Sequence, residues 1–345
     1  MDIGEIVQVD VESLNYSADA VGKTGGFVIF VTRGVPGDKL LVRVTHIKKN
    51  YAIGEIFDIL SASPHRCHPP CIHFIEGCGG CQWQHITYEQ QSHWKKEIIT
   101  QALRRIGKLE DVPDIELRGN CPSLHYRNKL RLFPAAPAGN SVPLGMNRLY
   151  SHDVVPIKDC LISTPLMNSL IHAFQDGVFS APVRRDSPST NGSMLSEVNV
   201  RTADKYNQIM LSCTYHRDDP LIMADIDRLS RIPAVASVFQ IIASTSDHPG
   251  KTTLIYGEPT IGEEIRGIKY RMGLMCFFQV NIPGLSDLID LAREFAGTGN
   301  KLIFDAHCGV GTFALQMADL SEVVWGSDVS SSAVELARVN AADNS

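Results

Sequence analysis

Long apolar runs, a positive net charge and an apolar N-terminal core are all missing from this sequence. No run approaches the roughly 20 apolar residues that a membrane-spanning helix requires, although 44% of the 345 residues are hydrophobic. The net charge of -6 argues against a globally basic nucleic-acid binder and still allows a local basic patch. The first residues, MDIGEIVQVDVESL, resemble neither a secretory signal nor a transit peptide. We therefore expect a soluble cytoplasmic protein of two or three domains.

Nine cysteines are present, and in the reducing cytosol metal ligands, core thiols or reactive groups are more common than disulfides. Three of them, Cys71, Cys78 and Cys81, lie within eleven residues in CIHFIEGCGGCQWQ. The Gly79-Gly80 pair is predicted to turn the backbone tightly, so that the three thiolates converge on one centre. Zinc and iron–sulfur centres usually take four ligands, and the spacing favours neither. The candidates for the fourth ligand are Cys67, Cys121 and Cys160.

The N-terminal region predicts a small all-β domain followed by a helix. The β-branched runs IVQVDV, GFVIFVT, KLLVRVTHI and AIGEIFDI are separated by turn signals. Pro36-Gly37 fits a type II turn, because glycine accepts the positive φ at its third position. Several short strands in about 60 residues indicate a closed barrel of the OB type. After the cysteine stretch, YEQQSHWKKEIITQALRRIGKLE has helical periodicity, with Gly107 placed to end the helix.

A basic strand is predicted at HYRNKLRLF. Arg127, Lys129 and Arg131 share one face of it, and apolar residues occupy the other. Residues 91–131 hold nine Lys/Arg against five Asp/Glu, which is a local excess of positive charge. A solvated strand face and a nucleic-acid surface are both compatible with this pattern. Further along, RRDSPSTNGS (184–193) predicts a polar loop within a middle domain.

The C-terminal part changes to an α/β pattern. A buried strand ending at Asp305, a turn with Gly309 and Gly311, and the predicted helix FALQMADL resemble the start of a nucleotide-binding βαβ unit. Asp328 ends the next strand 23 residues after Asp305, where an acid can hold ribose hydroxyls. Two glycines instead of three favour S-adenosylmethionine over NAD. Upstream, CFFQVN (276–281) predicts a core strand with a polar end.

In their order along the chain, these segments resemble the RNA 5-methyluridine (uracil-C5) methyltransferases of the bacterial type. The resemblance is carried by the barrel, CGGCQWQH, YRNKLRL, LGMNRLYSHDVVPIKDC, FFQVN and DAHCGVGTFALQMA. It implies a multidomain fold with a TRAM-type OB barrel at 1–62. An α+β middle domain with the iron–sulfur loop and the RNA-binding surface would occupy 63–90 and 115–275. The helix at 91–114 and residues 276–345 would belong to the start of a Rossmann-like methyltransferase domain.

The resemblance also implies cofactors and their ligands. A [4Fe–4S] cluster would be held by Cys71, Cys78, Cys81 and Cys160; Cys67 is kept in reserve because the first cysteine gap is six residues where relatives often have five. S-adenosylmethionine would contact Gln279 at its methionine end. The other implied cofactor contacts are His307, Thr312, Asp328, Asp305, Gly309 and Gly311. Arg127, Lys129 and Arg131 would face RNA, with 23S ribosomal RNA favoured over transfer RNA, and we expect a monomer.

The family's reaction implies residues that this sequence does not contain. In that reaction a cysteine thiolate adds to C6 of uracil, the methyl group goes to C5, and a carboxylate removes the C5 proton. The Cys-Asn-Pro and Asp-Pro-Pro-Arg segments that serve it are absent from the 345 residues, and Cys308 is interpreted as a packing residue. We therefore expect the nucleophile and base beyond Ser345, and the chain itself to be an inactive fragment. The alternatives are an inactive RNA-binding iron–sulfur module and a zinc-stapled structural protein.

Overall fold

The computed structural model describes residues 1–119, 121–136, 142–175, 195–216, 221–244 and 250–345. The polar loop predicted at 184–193 lies outside the described residues. The chain divides into two compact units, Met1–Arg118 and Gly119–Ser345. No helix in the described ranges combines the length and the apolar character needed to cross a membrane.

The first unit is built on a five-stranded closed barrel, which confirms the predicted small β-domain. Its strand order is β1-β2-β3-β5-β4, and β3 and β5 are the parallel pair. The turn at Pro36-Gly37 also forms as predicted, since Gly37 has φ +94° and Asp38 N donates to Val35 O at 2.9 Å. The strands are β1 (Ile6–Leu14), β2 (Ala20–Thr24), β3 (Phe27–Thr32), β4 (Lys39–Ile47) and β5 (Tyr51–Ser61).

Two helices follow the barrel in this unit, the single turn α1 (Ile72–Ile75) and the long α2 (Tyr88–Arg105). The prediction of the long helix is confirmed, and Ile106 is its C-terminal cap, one residue before the expected Gly107. Trp94 and Ile98 of α2 pack with Trp83 against the apolar interior of the barrel. The cysteine stretch (71–84) contains α1 and ends before α2 begins. It is held to the barrel by Trp83, whose Nε1 donates to Ala18 O at 3.1 Å.

The second unit contains a seven-stranded sheet of order β12-β11-β10-β9-β6-β7-β8, in which β10 and β11 are the parallel pair. Its apolar face packs on α3 and α4. The basic strand lies inside this sheet, between β9 and β7, and starts at Lys129. The elements are β6 (Lys129–Pro134), β7 (Leu144–Asn147), β8 (Val154–Pro156), α3 (Pro165–Gln175), β9 (Leu195–Ala203), β10 (Gln208–Tyr215), α4 (Leu221–Ser230), β11 (Val235–Ile242) and β12 (Lys251–Gly257).

A β-hairpin and a parallel two-stranded sheet complete the second unit. The hairpin is β13 (Thr260–Ile265) with β14 (Ile268–Gly273), and the parallel pair is β15 (Asn300–Asp305) with β16 (Ser321–Gly326). The helices around them are α5 (Ile282–Ala296), α6 (Thr312–Gln316) and α7 (Ser331–Asp343). The βαβ order predicted from the sequence is therefore present.

The predicted helix FALQMADL is wrong in its length. α6 ends at Gln316, and a 3-10 turn covers Ala318–Leu320. Met317 N is shared between the carbonyls of Phe313 and Ala314, which tightens the last turn. Met317 and Leu320 are both buried, so this tighter path returns the chain to the sheet at Ser321, where β16 begins.

Helix α7 is fastened to the hairpin by two asparagine side chains. Asn340 Oδ1 accepts from Arg271 N at 2.7 Å, and its Nδ2 donates to Arg271 O at 3.3 Å. Asn344 Oδ1 accepts from Lys269 N at 2.9 Å, and its Nδ2 donates to Lys269 O at 2.8 Å. Asn340 Nδ2 also donates to Val310 O at 2.9 Å. One helix thereby positions both the hairpin and the turn that follows β15.

Candidate functional site

The turn between β15 and α6 has the backbone that the two glycines predict. Gly309 has φ +54° and Gly311, the N-terminal cap of α6, has φ +87°. A side chain is strained at such angles, whatever space surrounds it. The turn is closed by Gly311 N, which donates to Cys308 O at 2.8 Å, and Cys308 N donates to Ser327 O at 2.9 Å. A ligand can therefore approach the backbone closely here.

Two carboxylates hold this turn in different ways. Asp328 Oδ1 accepts from Ser330 N and its Oδ2 accepts from Gly309 N, both at 2.9 Å. These bonds, the one from Ser330 first, lower the pKa of Asp328. Asp305 Oδ2 accepts from Ala314 N at 3.1 Å, and burial raises the pKa of Asp305. Asp328 is thus a firmly ionised group whose remaining lone pairs can accept from hydroxyls of a ligand.

Residues 276–281 do not form a strand, so the predicted core strand is wrong. Their carbonyls accept hydrogen bonds from Asn128, which directly precedes β6, and from Arg201 of β9 instead of from a strand ladder. Arg201 Nη2 donates to Cys276 O at 2.8 Å, Asn128 Nδ2 to Gln279 O at 3.3 Å, and Asn128 N to Val280 O at 3.0 Å. Asn281 then caps α5 by accepting from Gly284 N at 2.9 Å.

This segment and the glycine turn lie side by side. A Cβ built on Gly309 would be 3.8 Å from Phe277 O. Gln279 is half-buried, and its side chain has no hydrogen-bond partner among the described residues. His307 is exposed in the turn, and Thr312 is buried, with its carbonyl accepting from Tyr270 Oη at 3.1 Å. The structure therefore gathers the predicted cofactor residues around one surface, with Gln279 and His307 accessible and Thr312 built into the fold.

Cys308 is a packing residue, as the sequence indicated. Its side chain is buried, and a Cβ added to Gly326 would come within 3.0 Å of its Sγ. Burial, followed by the charges of Asp305 and Asp328, raises the pKa of this thiol. A thiol held protonated in this way is a poor nucleophile.

The three predicted RNA-facing residues have unlike surroundings. Arg131 is exposed and forms an ion pair with Glu197, whose Oε2 accepts from Arg131 Nε at 2.7 Å. Lys129 is half-buried; burial, then the charges of Arg201 and Arg127, lower its pKa. Arg127 is half-buried, and its Nε donates to Lys129 O at 3.0 Å. The alternation of the strand is as predicted, but its basic face is not uniformly exposed.

The cysteine stretch belongs to the first unit, and Cys160 belongs to the second. Gly80 N donates to Cys78 Sγ at 3.4 Å, whereas Cys67 donates its own thiol hydrogen to Gln84 O at 3.5 Å. Gly79 and Gly80 lie in a turn, as predicted, and the backbone is left-handed at Gly77, with φ +102°. Within the described ranges, no three His, Cys, Asp or Glu side chains are gathered closely enough to hold one metal ion. The metal centre and its four ligands stay a prediction.

Two residues of the site, Asn128 and Arg201, were not predicted from the sequence. Asn128 lies within YRNK between two predicted RNA contacts, and its amide points the other way, to Gln279 and the cofactor surface. Arg201 stands on β9 and is 4% exposed. Arg201 could have been singled out in the sequence, because it is the one cation in the strand LSEVNVRTA. A charged side chain inside an otherwise buried strand requires a polar or charged partner.

The barrel matches a known domain family, and nearly the whole chain matches known proteins. Residues 2–57 match the model of the TRAM domain. An uncharacterized RNA methyltransferase of Caldanaerobacter subterraneus is 30% identical over 99% of this chain and 76% of its own length. One of Bacillus cereus is 31% identical over 99% of this chain and 75% of its own.

Among solved structures, the crystal structure of Pyrococcus abyssi tRNA (uracil-54, C5)-methyltransferase in complex with S-adenosyl-L-homocysteine has a similar fold. It superposes with a TM-score of 0.74 and 20% identity, over 98% of this chain and 77% of that one. The fold, the N-terminal TRAM domain and the relatives at 30% identity agree, and this chain belongs to the RNA methyltransferase family.

Proposed function

We propose that this chain binds S-adenosylmethionine and RNA for methylation of C5 of a uridine. The observation that carries the proposal is the meeting of the Gly309–Gly311 turn with the Cys276–Asn281 segment. The Asp328 carboxylate would accept from the ribose hydroxyls, and Gln279 would hold the methionine end of the cofactor. The Pyrococcus abyssi tRNA (uracil-54, C5)-methyltransferase has a similar fold and was solved with S-adenosyl-L-homocysteine, which supports the same assignment here.

S-adenosylmethionine supplies the methyl group, and the residues of this chain bind and orient the two substrates. The TRAM barrel, with Arg127 and Lys129, would contact RNA through its phosphates. We propose 23S ribosomal RNA as the substrate, with transfer RNA as the alternative. The comparisons do not support the prediction that the chain is an inactive fragment, and the monomer and the cytoplasmic location stay predictions.

Transfer of a labelled methyl group tests the proposal. The chain is incubated with labelled S-adenosylmethionine and unmodified 23S ribosomal RNA or transfer RNA, and the digested RNA is separated into nucleosides. Appearance of 5-methyluridine supports the proposed reaction, and the RNA class that carries the label identifies the substrate. Any other methylated nucleoside would overturn the C5 assignment. Failure to bind either S-adenosylmethionine or RNA would refute the proposal.

Asp328→Asn is expected to weaken binding of S-adenosyl-L-homocysteine by on the order of tenfold or more. An amide has one accepting oxygen, so it cannot accept from both Gly309 N and Ser330 N and also bind a ribose. Isothermal titration with the ligand measures the change. Asp319→Asn is the matched control, because Asp319 is an exposed acid that pairs with Arg293 elsewhere on the unit. Equal losses in the two variants would contradict the assigned role of Asp328.

We further propose that Cys71, Cys78, Cys81 and Cys160 hold a [4Fe–4S] cluster that acts as a structural staple. The amide of Gly80 donates to Cys78 Sγ, as amides do around iron–sulfur thiolates, and this contact suits a ligand. Cys67 is not among the proposed ligands, and its Sγ donates to Gln84 O. A cluster bound in this way would link distant parts of the sequence without taking part in methyl transfer.

Iron analysis of the anaerobically purified protein tests the cluster. We expect about four iron atoms per chain, with acid-labile sulfide in equal amount. Cys78→Ser should lose most of the iron, and Cys67→Ser should retain it. Zinc in place of iron would favour the zinc-stapled alternative. Equal iron loss in the two variants would count against the proposed ligand set.

A further inference from the structure

The polar face of β6 and β9 has two parts, one in which the positive charge is paired with an acid and one in which it is not. Lys129 lies directly opposite Arg201 in the antiparallel register, and Arg131 lies opposite Asn199. Like charges that face each other across two strands are destabilising. The part that contains Arg131 is compensated, because Glu197 of β9 forms an ion pair with it. Among the residues that the structure describes, no acid forms an ion pair with Lys129.

Arg127, two residues before β6, adds a third cation beside Lys129 and Arg201. Within the part of the chain that the structure describes, none of them forms an ion pair with a carboxylate. Arg201 is almost fully buried, and it donates to Cys276 O and, at 3.8 Å, to Met272 Sδ. The Lys129 ammonium has no hydrogen bond to a described residue, and Arg127 reaches only the Lys129 carbonyl through its Nε.

Buried charges without a counter-ion are costly, because the protein replaces the water that would solvate them. Burial lowers the pKa of Arg201, and burial with its two guanidinium neighbours lowers that of Lys129, so the electrostatics agree with the geometry. Folding alone gains nothing from placing a third cation beside two others. An anion bound beside these three side chains would offset the repulsion between their positive charges.

We propose that Arg127, Lys129 and Arg201 form a site for one anionic group of a substrate. Lys129 and Arg127 would contact the anion, while Arg201 would lie beneath them and add its charge. The inference rests on the proposed function, which offers two anions of suitable chemistry, an RNA phosphate and the cofactor carboxylate. Arg131 lies outside the site, because Glu197 already neutralises it.

The test compares Lys129→Gln with Arg131→Gln in two binding measurements. The first is the affinity for a uridine-containing RNA stem–loop from 50 to 300 mM KCl. The second is the affinity for S-adenosyl-L-homocysteine without RNA. If the anion is an RNA phosphate, Lys129→Gln should lower RNA affinity about tenfold and reduce the salt slope by about 0.7 to 0.9. Arg131→Gln should change RNA affinity by less than about twofold, as expected for a compensated surface pair.

Each outcome has a defined meaning. Weaker binding of S-adenosyl-L-homocysteine by Lys129→Gln, with RNA affinity intact, supports the site and identifies the anion as the carboxylate. Equal behaviour of the two variants in both measurements overturns the inference while leaving the proposed function standing. A wild-type protein that binds neither ligand overturns both. Lys129→Gln should not lower the melting temperature, since it removes a repulsion, so a lower value would indicate a structural role and contradict the site.

Discussion

Phe278→Ala is expected to lower the free energy of unfolding of the second unit by about 3–5 kcal/mol. The Phe278 side chain is 2% exposed and lies with its ring centroid 5.8 Å from that of Tyr270, at an interplanar angle of 58°. Its removal would leave a cavity between the hairpin and α5, which the surrounding core cannot fully close. Because Gln279 is the next residue, we also expect weaker binding of S-adenosyl-L-homocysteine.

The adjacent Phe277 provides the control, because its side chain is 70% exposed. Phe277→Ala should change stability by no more than about 0.5 kcal/mol. Urea unfolding followed by hydrogen exchange, resolved to peptides of the second unit, measures both variants. A loss in Phe277→Ala comparable to that in Phe278→Ala would show that the side chains are not oriented as described.

The second large effect is a loss of stability of the first unit in mild acid, caused by His85. Its ring is buried, stacked on Phe74, and its Nε2 is 3.4 Å from Gly34 O. Burial, and then the charge of Arg66, lowers the pKa of His85 from 6.5 to about 4. The unfolded chain therefore binds a proton at a higher pH than the folded one, so stability falls as the pH falls from 6.5 to about 4. The shift corresponds to roughly 3 kcal/mol.

His85→Phe should remove this pH dependence, because phenylalanine keeps the stacked ring and cannot take up a proton. Chemical unfolding at a series of pH values, followed by the fluorescence of Trp83 and Trp94, measures it. His93→Phe is the control, since His93 is exposed on α2. If the slope of stability against pH between 4 and 6.5 is the same in wild type and His85→Phe, the assignment to His85 fails.

The parts of the fold that the sequence predicted are those set by local signals. The barrel strands follow from β-branched runs of period two, and the turn at Gly37 follows from the positive φ that glycine accepts. The turn between β15 and α6 follows from Gly309 and Gly311 in the same way. The helix α2 follows from its apolar periodicity. In each case the residues that cause the structure are neighbours in the sequence.

The parts that could not be predicted depend on residues far apart in the chain. Cys276–Asn281 has the composition of a core strand, yet its carbonyls bond to Asn128 and Arg201, which lie 151 and 75 residues from their partners Gln279 and Cys276. The pairing of Arg131 with Glu197 likewise spans 66 residues, so no local pattern distinguishes Arg131 from Lys129. The alternation of basic residues could be predicted from the sequence, but the pairing of Arg131 alone with an acid could not.

The asparagines of α7 have a consequence for the solubility of the protein. Asn340 and Asn344 are one helical turn apart, about 6 Å along the axis, which nearly equals the two-residue repeat of a strand at about 6.6 Å. Their side-chain amides can therefore bond to Arg271 and Lys269 as a neighbouring strand would, so α7 occupies the outer edge of β14. An open edge of this kind is a template for pairing between molecules and for aggregation. The asparagine side chains therefore occupy the backbone hydrogen-bonding groups of β14 that a strand of another molecule could otherwise pair with.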